Sequence, residues 1–344
     1  MVVTTDCSRF YRGRRVLVTG GLGFIGSNLA RSLVALGAHV TLVDSLIPGH
    51  GGNPFNVDGI DSALRVNLDD MGQESAMKHL VRDCAVIFNL AGQVSHIDSM
   101  EDPYTDLDIN CRSQLSILES CRKCNTTVKV VYAGTRQIYG RPDSLPVTEQ
   151  HLVRPTDVNG VNKAAAEHYH LVYNNVFGIR ACSLRLSNVY GPRQLIKHDR
   201  QGYLGWFIRL AIEGREIQIF GDGLQLRDIV YVDDVVNAFL LAGAMEELNG
   251  GVFNIGGAQP ISHLDLVSQL IEIAGTGTWR LVEWPPEKKA IDIGSFYTDW
   301  SRFHAITGWE PRVSVRDGLR RTIEYYRACL GKYLDETPTN QEPV

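Results

Sequence analysis

The chain has 344 residues, with 34 Lys and Arg against 39 Asp and Glu, a formal net charge of -5 and 44% hydrophobic residues. At a typical domain size of about 150 residues, this length allows roughly two domains and a sizeable core. That composition excludes a disordered chain, a collagen-like repeat and a disulfide-stapled mini-scaffold, and the mildly acidic balance gives no reason to expect nucleic acid or an anionic membrane as partner.

The first half alternates short β-branched runs with longer amphipathic stretches. Strands are predicted over 15–19, 39–43, 63–66, 85–90, 129–133 and 180–184, and helices over 26–36, 104–122 and 158–175. Nearly continuous apolar strands separated by helices indicate an α/β fold, a doubly wound parallel sheet covered on both faces. Beyond about residue 187 the rhythm breaks into loops, with turn signals at Gly221-Asp222-Gly223 and Gly250-Gly251. Helices follow near 264–274 and 315–330, and a polar tail from Asp335 is expected to fray. The seven cysteines are scattered, and the lone Cys121-x-x-Cys124 has no second pair. They read as reduced thiols, and no metal site is expected. The N-terminal segment lacks the apolar core of a secretion signal, and no run of about 18 apolar residues occurs, so a cytoplasmic location is expected.

Val16-Leu17-Val18-Thr19 runs directly into Gly20-Gly21-Leu22-Gly23-Phe24-Ile25-Gly26. A glycine turn that follows the first strand and opens a helix is the context dinucleotide binding requires. Gly20 makes the tight turn, Gly23 lets backbone approach a pyrophosphate, and Gly26 permits close helix–strand packing. Asp44 ends the second predicted strand, where a carboxylate accepts from both ribose hydroxyls and repels a 2′-phosphate, so NAD is expected rather than NADP.

Further motifs extend the pattern: Asn89-Leu90-Ala91-Gly92, Asn110, G-T-R-Q-I-Y-G over 134–140, Lys163, L-R-L-S-N-V-Y-G-P-R over 184–193, G-D-G-L-Q-L-R-D over 221–228, Y-V-D-D over 231–234 and T-G-W-E-P over 307–311. Together with the glycine turn they resemble the extended short-chain dehydrogenase/reductase superfamily, specifically its NAD-dependent nucleotide-sugar epimerases and dehydratases. The resemblance implies a Rossmann-type NAD-binding domain over 12–186 and a smaller mixed α/β region over 187–334 for a nucleotide-diphosphate sugar, with some strand exchange back to the first. It implies cofactor contacts from Phe24, Ile25, Asn67, Leu68, Leu90, Ala91, Gln93, Asn110, Lys163 and Val189. Substrate contacts are implied for Ser95, Thr135, Arg136, Asn188, Arg193, Gln201 and Arg227, with Arg227 suited to paired bonds on phosphate oxygens. Q-G-Y-L-G-W-F over 201–207 resembles a loop of CDP-sugar 2-epimerases. A homodimer through a four-helix bundle of helices 104–122 and 158–175 is also implied.

The superfamily's catalytic signature is Tyr-x-x-x-Lys, which puts both side chains on one helix face. Here Lys163 is present and the position four residues earlier is Asn159. A carboxamide neither ionises nor protonates near neutral pH, so it cannot take a hydroxyl proton as the phenol does. Thr135, Lys163 and His96 are the candidates to carry that proton, His96 because its ordinary pKa suits the task. Family 4,6-dehydratases resemble Thr-Asp-Glu where this chain has Thr135-Arg136-Gln137, and neither Arg136 nor Gln137 serves readily as an acid or base. The expected function is therefore an NAD-dependent nucleotide-sugar epimerase acting by transient hydride removal and return. The alternatives are a 4,6-dehydratase, a one-way sugar oxidoreductase, or a non-catalytic NAD(H)-binding sensor.

Overall fold

The computed structural model describes residues 9–69 and 71–334. Cys7 and the tail expected to fray lie outside the described residues. Seven strands form one parallel sheet: β1 (Arg15–Thr19), β2 (His39–Val43), β3 (Leu64–Asn67), β4 (Val86–Asn89), β5 (Lys129–Thr135), β6 (Arg180–Leu186) and β10 (Val252–Ile255). Their order is β10-β6-β5-β4-β1-β2-β3. From β1 the chain winds outward through β2 to β3, then returns to β4 on the other side of β1 and winds outward again. The reversal opens a crevice at the carboxyl ends of β1 and β4, where such sheets bind ligands. Two smaller sheets follow, β11-β9-β7 from Pro260–Ser262, Leu226–Tyr231 and Asn188–Tyr190, and β12-β8 from Thr278–Val282 and Glu216–Phe220.

Alternation along the strands divides the core. Val16, Val18, Phe88 and Val131 pack on one face with Leu29 and Leu33 of helix α1 (Phe24–Ala35), while Leu17, Ile87 and Val130 face Ile117 and Leu118. Further helices include the short α2 (His96–Glu101) and the longer α3 (Ser113–Cys124), α4 (Val158–Phe177), α5 (Tyr203–Ile212), α6 (Val232–Ala244), α7 (His263–Ala274) and α8 (Val315–Cys329). Asp157 caps the start of α4 by accepting from the Gly160 N–H at 2.7 Å, and Gly178, at φ +69°, ends it in the left-handed conformation. Among the described residues, no helix is long and apolar enough to cross a membrane.

Two expectations need correction. The helix predicted over 104–122 is not continuous: a short helix, Pro103–Leu107, passes through a π-helical turn, Asp108–Arg112, into α3. The π turn inserts one residue into the helical count, which apolar periodicity does not report. The stretch beyond 187 also holds more regular structure than its rhythm suggests. Val232, Val235, Val236, Phe239 and Leu240 of α6 are all buried, and a helix apolar on most sides has no clear 3.6-residue period.

Candidate active site

At the end of β1, Gly20 has φ +64°. A Cβ on Gly26 would stand 2.2 Å from the Gly20 carbonyl oxygen, so no side chain fits there. Helix α1 begins without a side-chain cap, leaving the amides of its first turn for a ligand. Asp44, one residue past β2, accepts from the Leu22 and Leu46 amides, each at 3.0 Å. Burial pushes its carboxyl up while those two amides pull it down, with a net upward shift. Asn67 ends the neighbouring β3, and Leu68 beyond it is exposed. The Leu90 and Ala91 amides both donate to Thr19 Oγ1 at 3.1 Å, which ties the end of β4 to β1.

A cavity of about 720 Å³ opens beside this turn, lined by Phe24, Ile25, Leu90, His96, Thr135, Arg136, Gln137, Lys163, Asn188, Val189, Gln201, Tyr203, Arg227 and His263, among others. Lys163 enters from α4 with its Nζ donating to the Ala133 carbonyl at 3.0 Å and standing 4.9 Å from the Tyr132 ring. Burial lowers its pKa to about 8, partly opposed by Asp106 and Glu167. Thr135 ends β5 and accepts from the Gln137 amide at 3.2 Å. His96, at the start of α2, places Nδ1 3.0 Å from Asp157 Oδ2. The same carboxylate takes the Gln137 amide group at 2.8 Å besides the Gly160 N–H. Burial alone would raise the Asp157 carboxyl; His96 and these donors outweigh it and hold it below its ordinary range. The His96 N–H is not well aligned on that oxygen, so the contact is an ion-pair distance rather than a formed hydrogen bond. Asp157 was not singled out from the sequence; its partnership with His96, 61 positions earlier in numbering, is made by the fold.

Asn159 does not face this cavity. Its side-chain amide donates to the Gln93 carbonyl at 2.8 Å and to Asp106 Oδ2 at 3.0 Å. Asn110 donates to the same oxygen at 3.0 Å and Asn162 to Asp106 Oδ1 at 2.8 Å, so three asparagines hold one buried carboxylate. Asn110 also brackets the Gln93 backbone, accepting its N–H and donating to its carbonyl. Three further residues expected at the site make contacts within the fold. Gln93 accepts the Ser95 amide rather than reaching the cavity, and Ser95 caps α2 through its hydroxyl, which takes the Asp98 N–H at 3.1 Å. Arg193, at φ +74°, donates to Asn28 on α1 at 2.8 Å and lies over the Tyr325 ring, away from the cavity.

The far end of the cavity is polar and crowded with positive charge. Arg227 donates to the carbonyls of Leu226 at 2.9 Å and Gly294 at 2.5 Å, and lies 3.7 Å from Asp292. Arg136 donates through Nη2 to Asn188 Oδ1 at 3.1 Å, and its guanidinium lies 5.3 Å from the Phe296 ring centre. Burial, then the charge of Arg227, lowers the Arg136 pKa to about 10. Asn188 in turn donates to the Asp228 carbonyl at 3.1 Å. Gln201 donates to the Gly49 carbonyl at 3.0 Å. Tyr203 and His263, with ring centres 4.9 Å apart, complete this end, and neither was singled out from the sequence, although Tyr203 lies within the Q-G-Y-L-G-W-F stretch.

Known proteins share this architecture. A putative UDP-glucose 4-epimerase of Methanocaldococcus jannaschii is 33% identical over 315 residues, 91% of this chain and 98% of its own length. CDP-paratose 2-epimerase of Salmonella typhi is 29% identical over 340 residues, 90% of this chain and 98% of that protein. The crystal structure of Thermus thermophilus UDP-glucose 4-epimerase in complex with NAD superposes with a TM-score of 0.82 at 31% identity, covering 92% of this chain and 99% of that one. Dehydratases and decarboxylases match over comparable lengths, so the relatives differ in reaction. With residues 16–256 matching its sequence pattern, the chain belongs to the NAD dependent epimerase/dehydratase family.

Proposed function

We propose that this member of the family is a nucleotide-sugar epimerase that removes hydride from one sugar carbon and returns it to the other face. The observation that carries the reading is the meeting of Thr135, Lys163 and the His96–Asp157 pair on one cavity. Gly20, Gly23, Gly26 and Asp44 would hold NAD, since the turn excludes side chains and leaves the first amides of α1 uncapped. When bound, NAD supplies a hydride acceptor that can give back what it takes. Thr135 positions the reacting hydroxyl and His96 takes its proton, doing the work for which Asn159 is chemically unfit. Asp157, 3.0 Å from Nδ1, stabilises the imidazolium that forms, so the same proton can return at the end of the cycle. Lys163 supplies a nearby positive charge, and Arg136 and Gln137 leave no carboxyl beside Thr135 for elimination of water. Asn188, Gln201 and Arg227 would receive the nucleotide diphosphate.

Incubation in D2O with UDP-, dTDP-, GDP- and CDP-sugars, neutral and acidic, tests the reaction. An isomer of unchanged mass without carbon-bound deuterium is expected; deuterium uptake or loss of water would replace epimerisation with enolisation or elimination. One observation favours a second reading, an NAD(H)-binding sensor: the Asn159 amide is consumed in a structural cluster. Lys163→Ala separates the two, abolishing turnover in an enzyme and changing only NAD affinity in a sensor. The same reading divides the chain into a cofactor half over 12–186 and a substrate half over 187–334. It includes a homodimer through α4 and the helices before it, supported by exposed Val161, Val172, Val176, Tyr104 and Leu107 and checked by sedimentation.

A further inference from the structure

Charge is unevenly matched around the cavity. Lys288 pairs with Asp199 at 2.8 Å, Arg215 with Glu213 at 3.0 Å, and Arg200 with Asp98 and Glu101. Arg227 has two carbonyls, the Gln225 amide oxygen and Asp292 around it. Arg136 has one neutral acceptor, Asn188, and its Nη1 is buried without a hydrogen-bond partner among the described residues. Asp228, which attracts it electrostatically, already accepts from Ser187 and from the Thr298 hydroxyl at 2.5 Å and amide at 3.1 Å. A guanidinium left in this state, next to a second guanidinium, is costly unless an anion arrives to meet it.

Two more polar atoms at this end are likewise buried without a partner among the described residues, Tyr203 Oη and His263 Nε2. Burial raises the Tyr203 pKa, so the phenol stays protonated and can donate. Burial, then Arg227 and Arg136, drops His263 to about 3, so its ring is neutral and adds no charge. Arg136 also follows Thr135 directly in the chain, which puts it beside the hydroxyl-positioning residue rather than at the glycine turn.

We propose that the sugar carries a carboxylate, received by Arg136 Nη1 with Tyr203 Oη as a second donor, so that the substrate class is a nucleotide-linked acidic sugar rather than a neutral hexose. This rests on the nucleotide-sugar reading above. A planar carboxylate matches the guanidinium fork, and the bond is charge-assisted in a site partly closed to water. The phosphates of the nucleotide are left to Arg227 and Asn188.

Calorimetric titration of the NAD-loaded full chain distinguishes the possibilities. The probes are UDP, UDP-glucose and UDP-glucuronate, with GDP, GDP-mannose and GDP-mannuronate as a second base series. In one series the acidic sugar should bind at least about tenfold more tightly than its neutral counterpart. Arg136→Gln should erase that preference and Arg136→Lys should keep part of it, with bare UDP or GDP as the internal reference and thermal unfolding as the check on folding. Equal binding of acidic and neutral sugars overturns the proposal while leaving the nucleotide-sugar reading in place. So does an equal loss for the bare diphosphate in Arg136→Gln, which would make Arg136 a phosphate ligand. Failure of all six probes, and of dTDP and CDP, to bind protein that retains NAD overturns the nucleotide-sugar reading, and this proposal with it.

Discussion

Lys163 shows how much the chemistry of one residue depends on where the fold puts it. An exposed lysine is fully charged at neutral pH, but burial brings this one to about 8. Its folded pKa lies below its unfolded value of about 10.4, so the unfolded chain binds more protons between those limits. Stability of the cofactor-free protein should therefore rise with pH from about 8 to 10 through this group, by an amount of order 3 kcal/mol. Urea unfolding of wild type and Lys163→Met at pH 7.5 and 9.5 checks this; equal slopes for the two would mean that the amine is not desolvated. The imidazole offers a second test. His96→Ala should lower kcat by about 10²–10⁴, the usual worth of a positioned general base. Asp157→Asn should act in the same direction, because a neutral amide 3.0 Å from Nδ1 does not stabilise the imidazolium formed when His96 takes the proton; an unchanged kcat in both variants would move the proton to another group. Residue types at this scale were legible: Thr135, Lys163 and His96 all line the cavity. Tyr203, His263 and Asp157 were not, because aromatic rings at helix starts and an aspartate before a helix have ordinary structural uses, and only the folded chain brings them to the site.

Elements were legible where their amino-acid pattern is simple. Val16-Leu17-Val18 and Val130-Val131-Tyr132 are buried on both faces, as runs without alternation imply for a central parallel strand. The π turn at Asp108–Arg112 was not legible, yet it is part of what brings Asn110 onto Asp106 beside Asn159 and Asn162. Removing the carboxylate takes an acceptor from three buried amides at once, of which Asn110 and Asn159 keep the Gln93 carbonyl. Asp106→Ala should cost several kcal/mol, since each unsatisfied donor costs about 1–3 kcal/mol, whereas Asn159→Ala, which leaves the carboxylate two donors, should cost only about 1–3 kcal/mol. Urea unfolding compares them, and similar losses in both would dissolve the idea of a shared cluster. The glycine turn gives the clearest element-scale test. Gly26→Ala forces a Cβ to within 2.2 Å of the Gly20 carbonyl, so turn and helix must separate. Purified variant protein should contain less NAD than wild type, measured as nucleotide released on denaturation; undiminished NAD would show that the turn tolerates the shift.

The whole molecule is joined by a strand that returns. Residues 188–251 build α5, α6 and much of the smaller sheets, and then β10 pairs with β6, Val252 opposite Ser183 and Ile255 opposite Leu186. Strand exchange was an expectation of the sequence, but the partner was not, because pairing across such a separation leaves no local pattern. Phe253 of β10 and Phe303 further along are fully buried in the same core as Val16, Phe88 and Phe239. A shared sheet and a shared core give the halves no seam along which one could unfold alone. All five tryptophans, Trp206, Trp279, Trp284, Trp300 and Trp309, lie beyond residue 187, so their fluorescence reports on the second half, whereas helical circular dichroism reports on both. The two signals should trace one urea transition with a common midpoint. If fluorescence changed at a lower urea concentration than dichroism, β10 would be a weak tether and the stretch beyond residue 187 a separate cooperative unit. A common midpoint instead means that Phe253→Ala, with a cost of about 3–5 kcal/mol, lowers the midpoint seen by both probes equally.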